Sequence, residues 1–99
     1  MLNQVVIVGR LCQIDRLIDD SEKRGVIFKL IVPRSYKNAN GEHENDFIPV
    51  RAFGLLSDEI RHNCKDGDLL GVKGRIETIG DRIIIVAEKI TFLSSKQTN

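Results

Sequence analysis

Apolar residues in this chain recur with a period of two along most of its length, and with a period of four in one segment. A period of two puts a residue set on one face of a strand, whereas a period near 3.6 puts it on one face of a helix. Asn3–Leu11 carries Val5-Val6-Ile7-Val8 ahead of Gly9 and reads as a buried strand. Val26–Arg34, Asp46–Phe53, Leu69–Thr78 and Arg82–Leu93 read as four more. Turn signals separate them: Asp19-Asp20-Ser21 with Gly25, then Asn38-Ala39-Asn40-Gly41, then Gly80-Asp81. Asn40-Gly41 is the strongest hairpin signal, because both residues tolerate positive φ.

The exceptional segment holds Leu56, Ile60 and Cys64, four apart, and reads as a short helix. Asp58 and Glu59 are expected near its start, where carboxylates suit the helix dipole. Asp66-Gly67 is expected to stop it. Three strands, one short helix and two strands make an all-β architecture, the five-stranded oligonucleotide-binding (OB) barrel with its helix between strands 3 and 4. The 99 residues allow one such domain, expected over 1–94, with 95–99 as a short polar end.

Composition removes several function classes. An apolar fraction of 41% with 29% charged residues fits a globular chain and not a disordered one. The longest apolar run, Ile83–Ala87, is far too short to span a bilayer, and the N-terminus offers no secretory signal. Cys12 and Cys64 make no disulfide framework and read as reduced thiols of a cytoplasmic protein. No nucleophile, metalloprotease or phosphate-loop motif is present, so no enzyme activity, cofactor or metal is expected. His62 and Cys64 without a second ligand pair are weak evidence for zinc. The net charge of +1 means that any nucleic-acid partner must be held by the placement of charge.

The third strand is the most informative. Ile48, Val50 and Ala52 share one parity and suit a core; Phe47, Pro49, Arg51 and Phe53 share the other. Burying both faces would desolvate Arg51 without an evident partner. Rings interleaved with a cation are what a single strand of nucleic acid needs, for base stacking and for phosphate. Packing of these phenylalanines against a neighbouring subunit or under a loop fits the same residues, and parity alone leaves both readings open. Tyr36, between Arg34 and Lys37, is either a third platform or an ordinary turn tyrosine. On the fourth strand Leu70, Val72, Gly74 and Ile76 form the inward set, with Lys73, Arg75 and Glu77 outward. Gly71 and Gly74 are expected to permit sharp coiling. Lys73 and Arg75 extend a phosphate track or simply face solvent; Arg10 and Lys29 are lesser candidates. Phe28 and Phe92 are assigned to the core. Glu42, Glu44, Asp46 and Glu77 are expected off the binding path or at loop tips, with Glu42 and Glu44 in a loop.

Several blocks resemble bacterial single-stranded DNA-binding proteins: Met1–Leu11, Phe28–Val32 with Arg34 and Tyr36, Asp46–Gly54, Lys65–Arg75 and Val86–Leu93, in the family's order. The resemblance implies an OB-fold, usually a homotetramer, that binds single-stranded DNA with little sequence preference in replication, recombination and repair. It puts the stacking aromatics on Tyr36, Phe47 and Phe53 and basic contacts on Arg34, Arg51, Lys73 and Arg75. Two departures stand out. The connection Thr78–Arg82 is short and ring-free, where the family usually has a long hairpin with a further aromatic. The chain also ends without the family's acidic tip, so tail-mediated recruitment is not expected. Rival readings are a dimeric primosomal or accessory OB protein that docks a replication partner, and a structural subunit whose Phe47/Phe53 face is buried in an interface. The runs Val5–Val8 and Ile83–Ala87, apolar on both parities, are expected to contribute to a subunit contact.

Overall fold

The computed structural model describes residues 1–16 and 25–95; the turn signal at Asp19-Asp20-Ser21 lies outside them. The elements are β1 (Val5–Arg16), β2 (Gly25–Lys37), β3 (His43–Phe53), α1 (Gly54–Asn63), β4 (Leu69–Ile79) and β5 (Arg82–Ser94). They close into a barrel in the order β1-β2-β3-β5-β4. This is the expected OB barrel, with its helix between the third and fourth strands.

β1 serves two neighbours. Its first half, Val5–Arg10, pairs with β4, and its second half, from Arg10 onward, pairs with β2. A bulge between Cys12 and Asp15, with Gln13 at φ 51, bends the strand between the two tasks. The inward parities of five strands meet in one core: Leu11, Val26, Phe28, Leu30, Val50, Ala52, Leu70, Val72, Ile85 and Ala87 are buried. Ile60 of α1 is fully buried among them, and Leu56 and Cys64 pack alongside, so the helix plugs one end. The fourfold spacing is thus a core stripe.

The helix ends differ from expectation. α1 begins at Gly54, so its first turn contains no acid and Asp58 and Glu59 fall in the second. It stops at Asn63 with Cys64 as the capping residue; Asp66-Gly67 is a separate turn, with Gly67 at φ 93. Burial of Ile60 sets these limits, because the plug needs only as much helix as covers the barrel end. In the β2–β3 turn only Gly41 takes positive φ, 79°. Asn38 holds that turn instead: its carbonyl accepts from Gly41 N–H and its Oδ1 accepts from Asn40 and Glu42 N–H.

Two glycines divide by space. A Cβ on Gly74 would lie 2.1 Å from the Val86 carbonyl oxygen, so β4 and β5 approach there as only glycine allows. A bulge between Lys73 and Gly74 marks the same place. A Cβ on Gly71 would meet nothing nearer than 3.8 Å, so coiling does not require glycine there. Two inward assignments are also corrected. Ile76 is 42% exposed and Phe92 50% exposed, although their partners across the β4–β5 ladder, Ile85 and Leu70, are buried. Ile84–Ala87 are all buried, but Ile83, beside the Gly80-Asp81 turn, is 61% exposed.

Candidate nucleic-acid interface

β3 keeps the parity its sequence implies. Val50 and Ala52 are fully buried and Ile48 packs on the core, which turns Phe47, Pro49, Arg51 and Phe53 outward. Phe47 is 56% exposed, and the other three are half-buried. The Arg51 guanidinium carbon lies 5.7 Å from the Phe53 ring centroid, within cation–π range. Among the described residues no carboxylate pairs with Arg51, and its Nε is buried without a hydrogen-bond partner. Among the described residues its charge is thus held over a ring rather than paired with a carboxylate.

Register extends the stripe sideways. Arg51 stands beside Ile27 of β2 and Val86 of β5, and Val86 stands beside Arg75 of β4. Arg75, Val86, Arg51 and Ile27 thus form one row across four strands. Pro49 lies beside Lys29, which brings Lys29 next to the stripe. That neighbour is invisible to parity within one strand; it follows only from the β2–β3 register. Lys73 is not brought to this row. It stands two residues before Arg75 on β4, in the row of Val6 and Lys89.

Two of the expected cations are already bound to acids. Arg34 donates from Nη2 to Asp46 Oδ1 at 2.8 Å, from Nε to the same carboxylate at 3.1 Å, and from Nη1 to Glu44 Oε2 at 2.8 Å. The hydrogen bond with Arg34 holds the Asp46 carboxyl below its ordinary range, and the same bond raises the Arg34 guanidinium. Asp46 has the parity opposite to Phe47, so Arg34 works from the other face of the ribbon. Arg75 donates from Nε to Glu77 Oε2 at 2.9 Å and from Nη1 to Glu88 Oε2 at 3.3 Å. Its guanidinium is raised, chiefly by the bond to Glu77. Glu44 is a strand residue rather than a loop one, and Glu44, Asp46 and Glu77 are partners of the expected cations. A signal for the first cluster was present, since a turn at Asn38–Gly41 sets Arg34 across from Glu44 and Asp46. Tyr36 is 63% exposed and lies within a β2 irregularity between Pro33 and Lys37.

Residues 2–83 match the sequence model of the single-strand binding protein family. The chain belongs to the single-strand binding protein family. Among relatives of this family, single-stranded DNA-binding protein 2 of Staphylococcus aureus (strain COL) is 37% identical over 111 residues, covering 100% of this chain and 78% of that protein. Single-stranded DNA-binding protein 3 of Listeria innocua is 38% identical over 107 residues, covering 98% of this chain and 67% of that protein. Solved structures share the fold. A small single-stranded DNA binding protein from Mycoplasma pneumoniae superposes with a TM-score of 0.73 at 21% identity, over 92% of this chain and 93% of that one. The dimeric N-terminal domain of PriB protein from Thermoanaerobacter tencongensis gives 0.72 at 18% identity, over 94% and 98%. No helix among the described residues is long and apolar enough to cross a membrane.

Proposed function

We propose that this single-strand binding family member holds single-stranded DNA along the outer face of β3, with bases stacked on Phe47 and Phe53 and a phosphate at Arg51. One observation carries the reading: Arg51 sits over the Phe53 ring on a partly exposed aromatic stripe, without an acid partner among the described residues. Lys29 beside Pro49 adds a second cation, and Tyr36 a third ring at the hairpin. Arg34, Lys73 and Arg75 are lesser contacts, two because carboxylates occupy them and one because it faces another row.

The function is binding and protection of single strands in replication, recombination and repair, without catalysis, in the cytoplasm with the nucleoid. The OB domain occupies residues 1–94. Homo-oligomerisation, as tetramer or dimer, is supported by Val6 and Val8, which stand exposed on the outer parity of β1. The accessory reading has less support, because the likeness to PriB is one of fold, whereas the sequence relatives are single-stranded DNA-binding proteins. The β4–β5 ribbon turns tightly at Gly80-Asp81, with Ile79 paired to Arg82, and carries no ring from Arg75 to Val86, which favours a small site.

Titration with oligo(dT) at low salt tests this. Each stack is worth about 1–3 kcal/mol, so Phe47→Ala/Phe53→Ala should lose at least about tenfold in affinity. An unchanged affinity in a folded double variant would remove the stripe from the site.

A further inference from the structure

Arg75 lies in the same row as Arg51, two strands over with β5 between, and would be the next cation that a backbone leaving the β3 stripe along that row meets. Yet it is bound from both sides. Glu77 holds Nε and Nη2 at 2.9 and 2.8 Å, and Glu88 holds Nη1 at 3.3 Å. One positive and two negative side chains make this cluster net −1. All three are substantially exposed, so a phosphate could reach them, but it would have to displace a carboxylate already in place and approach a second. Val86, between Arg51 and Arg75 in the row, is buried and offers no charge. The row therefore passes from a cation without an acid partner among the described residues, across an apolar residue, to an acid-capped one.

We propose that the Glu77–Arg75–Glu88 cluster is the edge of the DNA track: its carboxylates occupy Arg75 in place of phosphate and confine the strand to the β3 stripe. This rests on the single-strand reading above and makes Glu77 and Glu88 determinants of how many phosphates the chain engages. Arg75 is then a latent contact, present on the right row and withheld.

Removing the two acids exposes it. Glu77→Gln/Glu88→Gln should bind oligo(dT) several-fold more tightly at low salt. The slope of log affinity against log salt should steepen by about 0.7 for one recruited phosphate. Adding Arg75→Gln to that pair should return the slope to the wild-type value, which separates a contact through Arg75 from a general gain of positive charge. Thermal melting of each variant checks that the barrel is intact. If wild type binds and the double variant has an unchanged slope, this inference fails while the single-strand reading stands. A steeper slope that persists in the triple variant also overturns it. Wild type that binds no oligo(dT) at low salt removes both.

Discussion

At the scale of the residue, the interior is unforgiving where two backbones touch. Gly74 has the Val86 carbonyl where its Cβ would be, and that oxygen belongs to a hydrogen-bonded strand rather than to a movable side chain. Gly74→Ala should therefore cost at least about 1–3 kcal/mol. Gly71→Ala, three residues earlier on the same strand, meets only ordinary contacts and should stay within about 0.5 kcal/mol of wild type. Urea denaturation of the two variants side by side checks the pair. Both glycines were expected to permit sharp coiling, since a strand's own sequence does not report what stands opposite a residue. The same limit explains the aromatics. Phe47 and Phe28 were legible from alternation within their own strands, but Phe92 was not: it stands half exposed although it pairs with the buried Leu70.

At the scale of the element, the β2–β3 hairpin is stitched by charge where the barrel no longer supports it. Arg34 joins its own strand to Glu44 and Asp46 across the ribbon. Asp46 has its carboxyl lowered by the Arg34 hydrogen bond, so the folded hairpin prefers the ionised form more than the unfolded chain does. The contribution is fully present above the ordinary carboxylate value of about 4. It is lost as pH falls through the lower, folded value. Chemical-shift titration should place Asp46 below the ordinary aspartate value, and Arg34→Ala should raise it. Both side chains are exposed, so the global stability change should be small. The strands, the helix and their order were legible from periodicity, because burial imposes it. The helix limits were not, because Ile60 and the barrel end decide them rather than the acids and glycine that mark helix ends in isolation.

At the scale of the whole molecule, the outer face of β1 raises the question of assembly. Val6 and Val8 stand on it well exposed, next to Lys73 and Gly71 of β4. Covering them would remove apolar surface from water at roughly 25 cal/mol per Å². Sedimentation at micromolar concentration should show a species larger than the monomer, and Val6→Glu/Val8→Glu should convert it to monomer with the barrel intact. A wild-type monomer at that concentration would contradict the assembly. The barrel's closure has a different character from its walls. β3 and β5 meet at just two paired positions, Val50 with Ile85 and Arg51 with Val86, whereas each other neighbouring pair of strands shares at least five. The cylinder is fastened by a short latch, and Arg51 is one of its teeth. A ligand that grips Arg51 from outside thereby grips the fastening. Because anything that binds only the closed form holds it closed, occupancy of the outer face and integrity of the cylinder become one equilibrium.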